Sequence, residues 1–348
     1  MLNPLPIGPL SAEPLVSVLV ANYNYARYLP EAIESVLGQS YAALEVIVCD
    51  DGSTDESVAV ARSFAARDAR VRVLTKSNGG VASALNAAFR ESRGELVCLL
   101  DADDAFLPGK VELIVVLARA RPAAGLLVHG MRVVDAAGRE LRRIDPSGPA
   151  SDGWIAADIV RRGGRWRSAP ASGMTLRREV AAQLFPLPEP DLRSVADGYL
   201  LMLAPLLAEV ASTPDVLAIY RLHGGNLTGS LSFSAEQSAR HLEGLARIHR
   251  LANAWLAEHR PGSAPLLREA HINAVEHLRW RALLVDGAEV MPLWRFARAL
   301  WRDDLYGPRR KLAGLIAGAG GVVIPRRWRA SWLQCILGDR RHRGRVRP

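Results

Sequence analysis

A short acidic knot, Asp101-Ala102-Asp103-Asp104, follows directly on the apolar run Leu96-Val97-Cys98-Leu99-Leu100. Three carboxylates in four residues repel one another unless a positive charge sits between them. Hard divalent ions such as Mg²⁺ and Mn²⁺ take oxygen ligands, and Mg²⁺ is commonly shared between one or two carboxylates and the oxygens of a substrate phosphate. Standing alone, the knot also reads as a strand end capped by solvated acids. It does not stand alone: Tyr23-Asn24 and Asp50-Asp51-Gly52-Ser53 each follow an apolar run as well.

The elements that carry these residues follow from periodicity. Val16 to Val20 reads as a buried strand, and Leu29, Ala32, Ile33, Val36 and Leu37 recur at helical spacing. Leu44 to Cys49 is the next strand, followed by a helix through Val58, Ala61, Phe64 and Ala65 with Ser53 or Thr54 as its cap. Val71 to Leu74 is a third strand; Asn78-Gly79-Gly80 leads into a helix through Val81, Leu85, Ala88 and Phe89; Leu96 to Leu100 is a fourth strand. Such alternation predicts a parallel sheet with helices on both faces. Right-handed crossovers bring the C-terminal strand ends to one edge, where ligands of such sheets bind. Carboxylates 50 residues apart are therefore expected to line one pocket. Farther on, Val111–Leu117 reads as a helix, Leu126–Val128 as a strand, residues 142–175 as loops reaching across a site, and Tyr199–Leu207 as a buried helix. Amphipathic helices dominate from about Ala235, with a stripe of Leu242, Leu245, Ile248 and Leu251, and a boundary is expected near 230–235.

With 348 residues, 49% of them apolar, the chain can build one large domain plus an appendage. Cys49, Cys98 and Cys335 are too scattered for a disulfide framework or a zinc site, so a reducing, cytoplasmic setting is expected. Met1 to Pro14 lacks the pattern of a secretion signal, which makes the Asn226-Leu227-Thr228 glycosylation triplet a chance match. No apolar stretch of about 20 residues predicts a membrane span. The net charge of +8 is lopsided: residues 291–348 hold 14 Lys/Arg against 3 Asp/Glu, +11, which leaves the first 290 residues at −3. The basic tail therefore calls for a partner different from the ligand of the core.

Four blocks, Val16-Ser-Val-Leu-Val-Ala-Asn-Tyr-Asn24, Asp50-Asp-Gly-Ser-Thr-Asp55, Asn78-Gly-Gly80 and Leu100-Asp-Ala-Asp-Asp104, resemble in order and spacing those of the family 2 glycosyltransferases. The resemblance covers roughly residues 14–230. It implies a GT-A, Rossmann-like mixed sheet with helices on both faces, followed by a C-terminal helical extension. It implies three parts: an N-terminal tail over 1–13, a catalytic domain over 14–232 and a helical, basic region over 233–348. The implied activity is transfer of a sugar, with inversion, from a nucleoside diphosphate donor (UDP-linked by expectation) to a hydroxyl of a glycan or lipid-linked acceptor, as in polysaccharide biosynthesis.

By the same resemblance, Asp51 accepts a hydrogen bond from the nucleobase, a task suited to a group that only accepts. Tyr23 sits beside the base or ribose, its alternative being a core aromatic, and Ala21 and Asn78 complete the donor-binding set. Asp103 binds a divalent cation, Mg²⁺ or Mn²⁺; Asp101 touches the ribose or a metal-bound water; Asp104 competes for either role. His223, in the Tyr220-Arg-Leu-His-Gly-Gly-Asn226 block, completes the metal shell or contacts diphosphate, its alternative being a structural histidine. Apart from the resemblance, Lys76 and Arg27 are candidates for phosphate or donor-site contacts, their alternative being solvated charges. The general base is Asp197 in Ser194-Val-Ala-Asp-Gly-Tyr199, where Ala196 replaces the family's usual glutamate. Asp191 is its rival, and Asp215, in a turn after Pro214, is third. Because of Ala196 a second reading stands beside the enzyme: a non-catalytic sugar-nucleotide binder of the same fold. A dinucleotide-binding oxidoreductase is disfavoured, since Ala-Asn-Tyr-Asn and not a glycine-rich loop follows the first strand.

In the tail, Trp294 and Trp301 lie seven apart with arginines between them, and Leu312 to Ile324 is a 13-residue apolar, glycine-rich run followed by Pro325-Arg-Arg-Trp-Arg329. Interfacial tryptophan with arginine predicts a helix lying on an anionic membrane surface. Packing on the catalytic domain is the second reading, and nucleic acid is not expected.

Overall fold

The computed structural model describes residues 2–146, 148–223 and 234–337. In chain order the elements are β1 (Val16–Asn22), α1 (Leu29–Leu37), β2 (Leu44–Asp50), α2 (Ser57–Ala65), β3 (Val71–Thr75), α3 (Val81–Glu91), β4 (Leu96–Asp101), β5 (Ala105–Phe106), α4 (Lys110–Ala120), β6 (Ala124–Asp135), β7 (Glu140–Asp145) and α5 (Ala156–Arg161). They continue with β8 (Met174–Arg177), α6 (Arg178–Leu184), α7 (Ala196–Leu203), β9 (Glu209–Leu222), α8 (Ala235–His259), α9 (Ile272–Leu284), α10 (Leu293–Arg302), α11 (Pro308–Val323) and α12 (Arg326–Leu337).

The chain divides into two compact units, one of Met1–Ala157 with Arg167–His223, the other of Asp158–Trp166 with Gly224–Pro348. The single linear boundary expected from the sequence misses the segment Asp158–Trp166. Its arginines explain the grouping: Arg161 and Arg162 both reach Asp304 at 2.7 Å, and Arg165 reaches Asp303 at 2.5 Å. His249 Nε2 lies 2.8 Å from the carbonyl of Gly163.

In the first unit one sheet runs β3-β2-β1-β4-β8-β6-β9-β5, with β7 on β6. β1 pairs in parallel with β2 and β4, and β2 with β3. These are the strands read from mainly apolar runs, as expected where both faces are covered by helices. Helix α1 buries Leu29, Ala32, Ile33 and Val36, and carries Pro30 in its first turn, where the missing N–H costs nothing. Beyond β4 the pairing turns mixed: β8 lies antiparallel to β4 and β6, whereas β9 runs parallel to β6. Residues 142–175, expected as loops, thus include the end of β7, helix α5 and the start of β8. Asp215 is not in a turn but in β9, where the register jumps from His129↔Thr213 to Gly130↔Val216 and leaves Pro214 and Asp215 as a bulge. A bulge tolerates a residue that cannot donate to the ladder. The N-terminal stretch is stitched down: Leu5 N donates to Leu207 O (2.6 Å), Gly8 N to Glu179 Oε1 (3.1 Å) and Ser11 N to Glu95 Oε2 (2.9 Å).

The second unit is helical. Leu242, Leu245 and Ile248 are buried on α8, with Leu251 half-buried, and Ile272, Trp280, Leu283, Phe296, Leu300, Ala317 and Leu333 form a shared core. His271 and His277 are each pushed down to about 3, first by burial and then by neighbouring histidines, with Arg165 adding to the effect at His271. Both stay neutral in the fold while the unfolded chain takes up protons below about pH 6.5. Stability present above that pH is therefore lost as pH falls from about 6.5 toward 3, by at most about 1.4 kcal/mol per pH unit and per group. The melting temperature is expected to drop between pH 7 and 5, and less steeply in His277→Asn than in the parent protein.

Candidate active site

Register alone brings the three polar clusters to one edge: Ala21 lies opposite Cys49 on one side and Asp101 on the other, and Asn22 lies opposite Asp50. The first two loops are laced together. Asp50 accepts from Ser53 N (2.9 Å), Ser53 Oγ (2.6 Å) and Asn22 Nδ2 (2.8 Å), so its role is structural. Asn24 takes a positive φ of 59° and its Oδ1 accepts from Thr54 N at 2.7 Å. This shape leaves Tyr23 46% exposed, which removes its reading as a core aromatic.

Asp51 is buried beneath the Asn78-Gly79-Gly80 turn. Its Oδ1 accepts from Lys76 Nζ (2.8 Å) and Gly79 N (2.9 Å), and its Oδ2 from Gly80 N (2.6 Å). A carboxylate oxygen has two acceptor positions, so among the described residues one position on Oδ2 is left for a ligand. Lys76 therefore neutralises Asp51. Asn78 also serves the loop, donating to Asp51 O (3.0 Å) and accepting from Arg193 (2.5 Å). Gly80 has φ +91°, and a Cβ there would stand 2.6 Å from Arg193 Cα, so only glycine fits this turn. Arg27 lies over the Tyr28 ring at 5.2 Å.

Ligand atoms of Asp101, Asp103 and Asp104 lie within 4.8 Å of one another. They are not equivalent. Asp104 Oδ2 accepts from Ser172 Oγ (2.6 Å) and its Oδ1 from Arg221 N (2.9 Å), which commits it to holding the turn. Ser172 Oγ in turn accepts from Asp101 N (3.0 Å), and the Ser172 carbonyl accepts from Lys110 Nζ (2.9 Å). Lys110 is fully buried, with its ammonium 3.2 Å from the Phe106 ring centroid, and burial pushes it down to about 7. Asp103 Oδ2 lies 2.9 Å from His223 Nε2, whose ring stacks on Tyr28 (5.0 Å, 24°) and meets Tyr25 edge-on. Arg221 Nε donates to Asp103 O (2.9 Å), and Arg221 pairs with Glu31 at 2.6 Å.

No hydrogen bond among the described residues reaches the carboxylate of Asp101. Burial, and after it the charges of Asp103 and Asp197, push Asp101 up to about 8. A crowded pair of hard oxygen donors that must otherwise hold a proton fits a divalent cation. Asp197 starts α7, half-buried, with its charge felt at Asp101; burial raises it, against the Gly198 amide that lowers it. Asp191 lies in the turn before that helix. Gly224 to Asn226 of the His223 block lie outside the described residues. Sequence reasoning missed Ser172, Lys110, Glu31 and the Tyr25/Tyr28 pair. Only the tyrosines, just beyond Asn24, carried a local signal.

Residues 17–185 match the profile of glycosyl transferase family 2. An uncharacterized glycosyltransferase of Nostoc sp. (strain PCC 7120) is 33% identical over 69% of this chain and 75% of its own. The hyaluronan synthase of Pasteurella multocida is 40% identical over 112 residues, 32% of this chain but only 12% of that protein. Among solved structures, TarS of S. aureus, also determined with UDP-GlcNAc, has a TM-score of 0.57 at 16% identity and covers 92% of this chain and 90% of its own. A mannosyltransferase of Pyrobaculum calidifontis, determined with GDP-Man and Mn²⁺, has a TM-score of 0.53 at 20% identity over 96% and 88%. The mixed sheet is that of the GT-A glycosyltransferases, and the chain belongs to glycosyltransferase family 2.

Proposed function

We propose that the enzyme transfers a sugar, with inversion, from a UDP-linked donor to a hydroxyl of a glycan or lipid-linked acceptor. The observation that carries this reading is the open Asp101 carboxylate, crowded by Asp103 and Asp197 at the end of β4. Asp51 directly follows β2, two strands away, about 10 Å at ordinary strand spacing, a span that suits a nucleoside between base contact and diphosphate. The remaining acceptor position on Asp51 would take the imide N–H of uracil, with Tyr23 exposed beside it and Ala21 and Asn78 lining the approach.

Asp103 and Asp101 would hold the divalent cation, with His223 Nε2 the nitrogen that would join them. When bound, the cation neutralises charge developing on the departing diphosphate. Asp197 takes the proton of the acceptor hydroxyl as its oxygen bonds to the anomeric carbon. The bond from that carbon to the diphosphate oxygen breaks, and its electron pair leaves with the nucleoside diphosphate. The buried free thiols of Cys49 and Cys98 support a reducing, cytoplasmic setting.

A donor screen by thermal shift tests the reading. A ligand at 100 times its Kd stabilises the native state by about 2.7 kcal/mol, roughly 5–10 °C for a domain of this size. The expected result is such a shift from a UDP-sugar in the presence of Mn²⁺ and a much smaller one without it. Equal silence from UDP-, GDP- and other nucleotide sugars overturns the proposal.

A further inference from the structure

Helix α11 is built inside out. It buries Gly314, Ala317, Gly318 and Gly321 and turns Leu312, Ile316, Ala319 and Val323 outward, at i, i+4, i+7 and i+11 on one face. Val323 is 81% exposed. The inward face cannot be otherwise: a Cβ on Gly318 would stand 2.8 Å from Phe296 and Arg279, and one on Gly321 2.7 Å from Leu283. The outward face has no such constraint, and a helix facing water places polar residues there. From Leu312 to Ile324 there is not one charged side chain.

Helix α10 continues the pattern. Phe296 and Leu300 are fully buried, while Trp294, Arg298 and Trp301, at i, i+4 and i+7, face out, with Trp301 67% exposed. Lys311 joins the two helices, donating to Trp301 O (3.1 Å) with its ammonium 5.8 Å from the Trp301 ring centroid. Residues 291–337 hold 9 Lys/Arg and 2 Asp/Glu. Both acids, Asp303 and Asp304, are taken by Arg161, Arg162 and Arg165. Arg310 pairs with Glu276 at 2.7 Å, but Arg295, Arg298, Arg302 and Arg309 form no ion pair with any described residue.

We propose that this face of α10 and α11 docks on the surface of an anionic lipid bilayer. The aliphatic stripe would enter the acyl boundary, tryptophans would sit at the headgroup level, and the arginines would meet lipid phosphate. Charge complementarity selects this occupant. A second copy of the chain would set unpaired arginines against unpaired arginines, which a self-complementary interface disfavours. The 16 residues of α11 reach about 24 Å, short of the roughly 30 Å hydrocarbon core, so the helix lies in the interface plane. Among the described residues no helix is long and apolar enough to cross a membrane.

The test is co-sedimentation of the full chain with vesicles of phosphatidylglycerol and phosphatidylcholine, against phosphatidylcholine alone. Binding is expected to the anionic vesicles and to be at least about tenfold weaker to the neutral ones. The double variant Ile316→Glu/Val323→Glu is expected to weaken it about tenfold or more at an unchanged melting temperature. Trp301→Ser provides a second variant, at an exposed site, should that one melt differently. No binding to either vesicle overturns the proposal. So does binding that none of these substitutions changes, which would assign it to the terminal arginines. A dimer that the glutamates convert to monomer overturns it in favour of a second copy.

Discussion

Replacing Asp103 by Asn is expected to lower turnover by about 10²–10³-fold and to remove its dependence on Mn²⁺, without lowering the melting temperature of the ligand-free protein. The change is isosteric, and the amide can still hydrogen-bond His223 Nε2, 2.9 Å away. What is lost is the ionised member of three crowded carboxyl groups that presses most on Asp101. Asp103 is the foremost charge acting on Asp101, so its removal lets Asp101 ionise more readily and relieves repulsion in the folded state. A carboxylate kept for stability behaves in the opposite way, and Asp104 supplies the contrast. Its two oxygens accept from a hydroxyl and from a backbone amide, and an Asn there turns an NH₂ toward one of those donors. Asp104→Asn is therefore expected to destabilise by about 1–3 kcal/mol. Initial rates over a Mn²⁺ titration, with melting curves of both variants, separate the two roles. A normal metal response in Asp103→Asn would remove Asp103 from the metal site.

The contrast between these two aspartates shows what the sequence could and could not reveal. That Asp101 to Asp104 shares one sheet edge with Asp50-Asp51 was legible, because β1, β2 and β4 are mainly apolar runs whose ends must align in a parallel sheet. That Asp104 is spent on the scaffold was not legible: its partners Ser172 and Arg221 lie 68 and 117 residues away. The four residues of β8 are too few for a period to register, and they are buried on both sides between β4 and β6. The grouping of Asp158–Trp166 with the helical unit rests on arginines meeting two aspartates about 140 positions later, which no local pattern announces. In the tail the apolar run from Leu312 was visible in the sequence. Its meaning came only with packing, which put the glycines inside and the large side chains outside.

For Asp197→Asn the expected loss of turnover is about 10²–10⁴-fold, with the Mn²⁺-dependent thermal shift by donor unchanged. Asp197 stands in the first turn of α7, whose Ncap, Val195, offers no side-chain cap. The Gly198 amide stabilises its charge, yet burial outweighs this and the carboxyl is raised from its ordinary value. A raised carboxylate is the stronger base for an acceptor hydroxyl. The acid limb of log(kcat/KM) should accordingly rise with unit slope to a plateau in the parent protein and lie above the ordinary carboxylate range. That limb should disappear in Asp197→Asn. Position 196, where the family places a glutamate, is here a fully buried alanine, so the residue before Asp197 supplies no second acid. Asp191→Asn is the comparator and is expected to stay within a few-fold of the parent, since Asp197 is the charge felt at Asp101. The reverse outcome, a collapse in Asp191→Asn with Asp197→Asn intact, would move the base to the turn before α7. Loss of donor binding in Asp197→Asn would instead make it part of the donor site, because a base acting on the acceptor has no part in holding the nucleotide.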